Sequence, residues 1–316
     1  MSSALAFHQV VVSEIADEVP AVVSLRLQRG NGRPMPRFEP GAHVELQIPN
    51  GSRRSYSICS DPADLGHYML GVLREPKSRG GSSYIHDRLE AGDVLLMSEP
   101  KSSFGLARDA SRHVFIAGGI GVTPFLSMLR QLRHEGADFH FHYLARDRQS
   151  SCFLAELREL AGDRLTIYWS STGARFQASS LADIGRGSLT QVYCCGPKRL
   201  MDSVLEASTC LKRPVRFETF AEAPATGIYA GAPFEIEIGS TGSIVPVLDT
   251  QTMLEALRAS GHDVASSCEH GICGTCLVRV LKGQPIHRDG VLTDELRKTF
   301  VAPCISRAKE RLTLDL

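Results

Sequence analysis

The stretch from Ser267 to Val280 reads SCEHGICGTCLVRV and places Cys268, Cys273 and Cys276 in the order C-x4-C-x2-C. A fourth cysteine, Cys304, follows downstream in the run APCIS. Thiolates are soft ligands, and a group of them converging on one point favours iron or zinc. The sequence therefore predicts a metal centre in the last part of the chain.

The spacing of these cysteines favours one metal over the other. C-x4-C-x2-C followed by a distant cysteine is the ligand pattern of plant-type [2Fe-2S] clusters, whereas structural zinc sites usually carry two C-x2-C pairs. Gly271 and Gly274 lie between the cysteines. Backbone without Cβ atoms can approach the sulfurs and point N–H groups at them. The pattern favours a [2Fe-2S] cluster, with a zinc site or core packing as the alternative.

Composition limits what the rest of the chain can be. Its 316 residues suit two or three domains, and a formal net charge of +0 gives no basic field for nucleic acid. No apolar run approaches the roughly 18 residues of a membrane span, and the N-terminus lacks the pattern of a secretory signal. Clustered cysteines favour a metal site in a reducing compartment. We therefore expect a cytoplasmic protein that does not bind membranes or nucleic acid.

Residues 1–108 and 109–224 differ in pattern. The first segment has short alternating apolar runs separated by Gly and Pro, such as Val44-Leu46-Ile48, which predict an antiparallel β-barrel. The second alternates strands with helices, for example the strand His113 to Ala117 and the helix Pro124 to Glu135, which predicts a parallel α/β sheet. The two patterns indicate two separate domains.

A third domain is predicted at the C-terminus. The run from Ala221 to Ala232, AEAPATGIYAGA, is poor in large apolar residues, and we place a linker at residues 225–231. Residues 232–316 then combine short strands with one helix, Thr252 to Ser260, around the cysteine loop. This pattern predicts a small α+β module of the β-grasp-like, plant-type ferredoxin kind.

The barrel segment contains two runs that could bind a flavin. In Arg54-Ser55-Tyr56-Ser57, strand alternation places Arg54 and Tyr56 on one face, where a guanidinium can bind a phosphate and a ring can pack beside a flavin. Ser57 could then hydrogen-bond the flavin. The run from Ser78 to Ser83, SRGGSS, supplies a glycine turn whose N–H groups can bind a phosphate. Each run alone also fits an ordinary exposed strand or a helix cap.

Two runs in the α/β segment could bind a dinucleotide. The run from Ala117 to Pro124, AGGIGVTP, follows a strand and opens a helix, with Thr123 as a candidate N-cap and Pro124 at the first helical position. The run Cys195-Gly196-Pro197 ends another strand at the carboxyl edge, where open α/β sheets bind ligands. Tight packing of glycines and a buried small Cys195 side chain are the alternatives.

Taken in order, these runs resemble the phthalate dioxygenase reductase family, which includes vanillate demethylase reductases. The resemblance covers essentially the whole chain and is carried by RSYS (54–57), RGGSSYIH (79–86), AGGIGVTP (117–124), CCGP (194–197), SCEHGICGTCLVRV (267–280), HRDGVLTDE (287–295) and PCISRA (303–308). It implies the order flavin barrel, nicotinamide domain, ferredoxin domain. Because relatives that bind FAD carry the ferredoxin domain first, the C-terminal cluster favours FMN.

The resemblance also implies site residues. FMN is expected on Arg54, Ser55, Tyr56, Ser57, Val72, Leu73, Arg74, Gly80, Gly81, Ser82, Thr123 and Phe220, although Phe220 also fits a hydrophobic domain seam. NADH is expected on Gly118, Gly119, Gly121, Cys195, Gly196 and Pro197, and the cluster on Cys268, Cys273, Cys276 and Cys304. Ser57, Thr123 and Cys195 are expected nearest to the reacting atoms.

The expected reaction is hydride transfer from NADH to FMN, followed by single-electron transfer through the [2Fe-2S] cluster to a Rieske-type oxygenase or O-demethylase that degrades aromatic compounds. The alternatives are the same chain serving a non-aromatic monooxygenase, and a non-catalytic iron–sulfur carrier or redox sensor. One departure concerns the nucleotide. Where an acidic residue would select the NADH ribose, the run from Trp169 to Phe176 reads WSSTGARF, so discrimination against NADPH is not expected from this segment.

Overall fold

The structure, a computed structural model, describes residues 7–76, 80–102, 104–184, 189–208, 211, 213, 215–220, 231–264, 266, 271, 274, 276–289, 291–292 and 295–316. Its internal packing divides the chain into two compact units, Met1–Val215 and Arg216–Leu316. The predicted boundaries after residues 108 and 224 stay predictions, and of the predicted linker 225–231 the structure describes Gly231 alone. Among the described residues, no helix has the length and apolar character needed to cross a membrane.

The first unit begins with an antiparallel barrel. Its strands are β1 (Phe7–Val19), β2 (Val22–Gln28), β3 (His43–Gln47), β4 (Arg53–Ser57), β5 (Tyr68–Leu73) and β6 (Val94–Ser98), with helix α1 (Gly81–Arg88) between the last two. The strands pair in the order β4-β3-β6-β1-β2-β5. An antiparallel bridge between Ile58 and Leu70 joins the two ends of this order, so the sheet closes on itself as predicted.

A parallel sheet forms the rest of this unit. Its strands are β7 (Arg112–Gly118), β8 (Asp138–Ala145), β9 (Leu165–Trp169) and β10 (Thr190–Cys195), and its helices are α2 (Thr123–Glu135), α3 (Leu154–Ala161), α4 (Leu181–Ile184) and α5 (Lys198–Ala207). The parallel strands stand in the order β10-β7-β8-β9, which confirms the predicted α/β sheet. The chain moves from β7 outward to β9 and then returns to the other side of β7. The topological switch point, where such sheets bind ligands, therefore lies between the carboxyl ends of β7 and β10.

The hydrophobic cluster of the parallel sheet extends into the barrel segment, whose own interior forms a separate cluster. Phe104, which follows the barrel strands, packs with ring centroids 5.7 Å from Phe125 of α2 and 6.0 Å from Tyr193 of β10. The Gly41 N–H donates to Ser127 Oγ over 3.0 Å, which links the two sheets at a second point. Apolar side chains of both sheets thus bury one another.

The second unit is a mixed sheet with one helix. The unit begins with the short strand β11 (Arg216–Glu218), which is not part of this sheet. The strands that follow are β12 (Phe234–Ile238), β13 (Ile244–Val247), β14 (Val278–Lys282), β15 (Pro285–Ile286), β16 (Phe300–Val301), β17 (Arg307–Ala308) and β18 (Leu312–Leu314), and the helix is α6 (Met253–Ala259). The main sheet has the order β13-β12-β18-β14-β16, with β12 and β18 parallel. A capping box between Thr252 and Glu255 starts α6. The predicted α+β module is confirmed.

Arg307 is a buried cation in this unit, with only 2% of its surface exposed. Its guanidinium donates to the carbonyls of Gln251 (2.7 Å), Leu248 (2.9 Å) and Ala232 (3.1 Å). Arg307→Met keeps the volume but leaves these acceptors without the donor, so we expect a loss of about 2 kcal/mol in unfolding free energy, measured by urea denaturation of the full chain. The control is Arg311→Met, which breaks an exposed pair with Glu235 and should cost less than about 0.5 kcal/mol. Equal losses would contradict this role for Arg307.

Candidate functional site

Strand β4 presents its predicted flavin residues on one face. Arg54 and Tyr56 are half-buried, whereas Arg53 and Ser55 on the opposite face are exposed. Ser57 ends the strand and is buried. Burial raises the pKa of the Tyr56 phenol well above its usual value, so the ring is neutral at physiological pH. The face of Arg54 and Tyr56 therefore offers a cation beside a neutral aromatic ring.

Arg54 lies against the start of helix α1. A Cβ atom on Gly81, the first residue of α1, would lie 2.9 Å from Arg54 Cγ and 3.0 Å from its Nε. The preceding turn is held by Asn50, whose Nδ2 donates to the Gly80 carbonyl over 2.8 Å. A guanidinium and a helix N-terminus both favour an anion, and here they are adjacent. We call this group, Arg54 with Gly80, Gly81 and Ser82, the phosphate cradle.

The segment Val72-Leu73-Arg74 connects β5 to the cradle. The Val72 side chain is fully buried in the barrel, and Leu73 ends β5. Arg74 makes a two-pronged ion pair with Asp87 of α1 over 2.6 and 3.0 Å, and this hydrogen bonding lowers the pKa of the Asp87 carboxyl. The Arg74 side chain thus holds α1 to β5. Whether the segment contacts FMN stays a prediction.

The two predicted nucleotide runs meet at the switch point. A Cβ atom on Gly121 would lie 2.3 Å from the Cys195 carbonyl oxygen, and one on Gly118 would lie 2.6 Å from Pro197 Cδ. A Cβ atom on Gly196 would lie 2.9 Å from the Gly118 nitrogen. Glycine is therefore needed at these three positions for the ends of β7 and β10 to touch. This contact could not be predicted from the sequence. It forms the base of a candidate ligand-binding site at the carboxyl edge of the sheet.

A cavity of about 580 Å³ opens at this edge. This volume is within the range of small-ligand sites. It is bounded at the switch point by Gly118, Gly119 and Pro197, and on the side of β8 and β9 by Arg146, Tyr168, Ser170 and Arg175. We call it the nucleotide cavity. The arginines of this cavity were not predicted from the sequence; the one signal was that Arg146 lies just beyond a strand of the parallel sheet, at the carboxyl edge.

Thr123 lies where the binding edge meets the barrel. Its predicted role as N-cap is wrong, because a 3-10 turn, Gly119–Val122, precedes α2 and Val122 takes the cap position. The Thr123 hydroxyl instead donates to the Ile120 carbonyl over 2.9 Å. A Cβ atom on Gly71 of β5 would lie 2.7 Å from Thr123 Cγ2, so the absence of a side chain at Gly71 allows Thr123 to pack against this barrel strand. The nucleotide edge and the predicted flavin strand are thus in direct contact.

Two other predicted residues lie at opposite extremes of exposure. The Cys195 side chain is fully buried, as is its neighbour Cys194, whose thiol pKa is raised by burial. Phe220 has 45% of its surface exposed. The roles expected for Cys195 at the nicotinamide and for Phe220 over the flavin stay predictions.

The described part of the cysteine loop fits a cluster site. Cys276 and Cys304 are 3% and 2% exposed and belong to the core of the second unit, while Cys268 and Cys273 lie outside the described residues. Gly271 has φ 70°, and a Cβ atom there would lie 2.6 Å from Ile305 Cγ2. Glycine is therefore required where the loop turns back on the segment that carries Cys304.

Asp289 supports this loop, a role that the cysteine spacing does not reveal. Its buried carboxylate accepts hydrogen bonds from the Leu292 N–H (3.0 Å) and Ser306 Oγ (3.2 Å), and His287 Nδ1 lies 3.3 Å away. A Cβ atom on Gly271 would lie 3.0 Å from the Asp289 Cα. The network therefore fixes the chain that Gly271 packs against.

Comparison with known proteins identifies the family. The sequence profile of the 2Fe-2S iron-sulfur cluster binding domain matches residues 236–309, and that of the N-terminal domain of DmmA-like dimethylamine monooxygenase subunits matches residues 96–212. The phthalate dioxygenase reductase of Burkholderia cepacia is 37% identical over 309 residues, which cover 93% of this chain and 92% of that protein. The chain belongs to the phthalate dioxygenase reductase family. As a member of this family it is an oxidoreductase with flavin, nicotinamide and [2Fe-2S] domains.

Further relatives place the chain within this family. The heme-dependent oxidative N-demethylase beta subunit of Ectopseudomonas mendocina is 40% identical over 276 residues, which cover 86% of this chain and 87% of that protein. A solved structure of phthalate dioxygenase reductase, described as a modular structure for electron transfer from pyridine nucleotides to [2Fe-2S], superimposes with a TM-score of 0.65 at 34% identity and covers 98% of both chains. The match spans the complete order of domains in the phthalate dioxygenase reductase family.

Proposed function

We propose that this chain is the reductase component of a two-component, Rieske-type oxygenase or O-demethylase of the cytoplasm, with NADH as hydride donor and FMN as flavin. The observation that carries the proposal is the contact between Thr123 and Gly71. It brings the nucleotide edge of the parallel sheet against the barrel strand beside the phosphate cradle. A hydride donor and a flavin bound at these two places would be neighbours.

When bound, FMN would accept a hydride from NADH and release the electrons singly to the [2Fe-2S] cluster. The protein would hold FMN and the dinucleotide in position for this reaction. Arg54 and the start of α1 would hold the FMN phosphate, and the neutral Tyr56 ring would pack beside the flavin. Gly118 and Gly121 would let the dinucleotide approach the backbone at the switch point. Because orientation alone can supply much of the rate, no acid–base residue is required.

The test starts with protein purified without added cofactor. We expect flavin and iron–sulfur absorbance together, release of FMN rather than FAD on chromatography, and bleaching of both chromophores on anaerobic titration with NADH. In stopped-flow experiments the flavin should be reduced before the cluster. Protein without flavin, or a cluster that is reduced first, would refute the proposal and favour an iron–sulfur carrier or sensor.

Arg54 provides a more local test. Charge-assisted hydrogen bonds to a phosphate contribute about 1.5 to 3 kcal/mol, so Arg54→Ala should weaken FMN binding by roughly 10- to 100-fold, measured by fluorescence titration of the apoprotein. The matched control is Arg53→Ala, which removes the neighbouring arginine from the opposite, exposed face of β4. If both variants lose the same affinity, Arg54 has no specific role in the cradle.

A second candidate acceptor is an amine monooxygenase. The match of residues 96–212 to DmmA-like subunits and the 40% identity to an N-demethylase subunit favour it. The same hydride and electron steps would serve this acceptor. Reconstitution with purified oxygenase components of both kinds, scored by NADH consumption coupled to demethylated product, would decide between them.

A further inference from the structure

Three arginines line the nucleotide cavity: Arg199 lies beside Pro197, and Arg146 and Arg175 lie at the end remote from the glycine edge. Arg146 directly follows β8, and Arg175 follows the turn that begins at Ser170 after β9. Strands in a sheet are about 4.8 Å apart, so the end of β9 is roughly 10 Å from the glycine edge of β7. A dinucleotide with its nicotinamide at the glycine edge would therefore place its adenosine half near Arg146, Ser170 and Arg175.

A backbone hydrogen bond and aromatic packing hold these groups together. The Ser171 N–H donates to the Arg146 carbonyl over 2.8 Å, which joins the turn after β9 to the end of β8. The Phe176 ring packs against Tyr168 and His142, with centroids 5.7 and 5.3 Å apart, and this fixes the segment on which Arg175 lies. The two arginines and Ser170 are thus presented by packed elements.

Among the described residues that line the cavity, none carries a carboxylate. In dinucleotide-binding sheets a carboxylate hydrogen-bonds the ribose 2′-hydroxyl of NADH, and an arginine accommodates the 2′-phosphate of NADPH. Asp147 is the nearest candidate, but its carboxylate accepts the Ser150 N–H over 2.8 Å, and its Oδ2 lies 3.9 Å from Arg146 Nε. It caps its own loop and is not part of the cavity lining.

We propose that Arg146, Ser170 and Arg175 form a subsite for the 2′-phosphate, so that the enzyme uses NADPH as well as NADH. This inference rests on the proposed function, since it assigns the adenosine half of the same dinucleotide. Arginine matches the geometry of a phosphate, and its hydrogen bonds to phosphate are strengthened by charge. NADPH should therefore be used with a kcat/KM within tenfold of that for NADH, or higher.

Arg175→Ala is the decisive variant. It should lower the NADPH-to-NADH ratio of kcat/KM at least tenfold, measured in the holoenzyme with ferricyanide as acceptor. Arg199→Ala is a control within the cavity, because Arg199 lies beside Pro197 in the first turn of α5, where both dinucleotides carry the pyrophosphate. Arg199→Ala should lower kcat/KM for both NADPH and NADH and leave the ratio of the two values within threefold of the wild-type ratio. Arg148→Ala removes an exposed arginine from the β8 loop outside the cavity lining and should change neither.

Calorimetry provides a readout that does not depend on turnover. Adenosine 2′,5′-bisphosphate should bind the purified holoenzyme at least tenfold more tightly than AMP, and Arg175→Ala should remove this difference. A wild-type preference below tenfold, a preference that Arg175→Ala does not reduce, or an NADPH kcat/KM more than tenfold below that for NADH would overturn the subsite. If neither dinucleotide bleaches the flavin, the proposed function itself fails.

Discussion

Gly121→Ala is expected to abolish reduction by either dinucleotide and to lower the unfolding free energy by about 3 kcal/mol, the upper end of the usual cost of overpacking a core. The added Cβ atom would lie 2.3 Å from the carbonyl oxygen and 2.6 Å from the carbonyl carbon of Cys195. These are backbone atoms at the end of the buried strand β10, and they cannot rotate away. The ends of β7 and β10 would have to separate, and the floor of the nucleotide cavity would be lost with them. Anaerobic flavin bleaching and urea denaturation measure the two effects.

Gly105→Ala is the matched control, because a Cβ atom there would meet its nearest neighbour, Ser102 Oγ, at 3.6 Å, an ordinary contact. Its stability should change by less than about 1 kcal/mol, and its flavin should still be bleached. A Gly121→Ala protein with wild-type rates would mean that the contact between the two strand ends is not required for nucleotide binding.

Cys304→Ser should remove the cluster while leaving the flavin reaction in place. A serine hydroxyl is neither as soft nor as readily deprotonated as the thiol, so the four-thiolate site predicted from the spacing would lose one ligand. We expect at least a tenfold loss of bound iron and of electron transfer to a one-electron protein acceptor such as cytochrome c. NADH oxidation by ferricyanide, which can draw electrons from the flavin, should continue.

The control for this experiment is Cys59→Ser. Cys59 is also fully buried, but it lies in the first unit, where its Sγ donates to the Ser57 carbonyl and a hydroxyl can do the same. Its iron content should equal that of the wild type. Full iron in Cys304→Ser would remove Cys304 from the ligand set, and loss of iron from both variants would indicate general misfolding.

Local pattern predicted much of this fold. Strand alternation was enough to place Arg54 and Tyr56 on one face of β4, and helical spacing located α2 to within one residue of its start. The N-cap was misplaced because the 3-10 turn before α2 has no signature that distinguishes it from the first helical turn. The predicted site residues on β4 and at the start of α2 therefore lie on a strand and a helix that the sequence also predicted.

The remaining features depend on residues far apart in the chain. The contact between Gly121 and Cys195 joins positions 74 residues apart, and the support of the cysteine loop by Asp289 depends on how a later segment folds back. Arg175 could not be assigned to a site from the sequence, because only the packing of Phe176 and the order of the strands bring it to the nucleotide cavity. No local periodicity encodes such contacts.

The extension of the parallel-sheet cluster into the barrel segment has a consequence for inheritance. Val22, Cys59 and Phe104 of the barrel segment belong to the parallel-sheet cluster, and Phe104 packs against Phe125 and Tyr193, so deleting the barrel segment would open that cluster to solvent. Gene fusions and truncations that survive selection should therefore cut outside residues 7–208 and carry both sheets as one heritable block. A chimera that joins a foreign barrel to this parallel sheet would have to bring a counterpart of Phe104 with it.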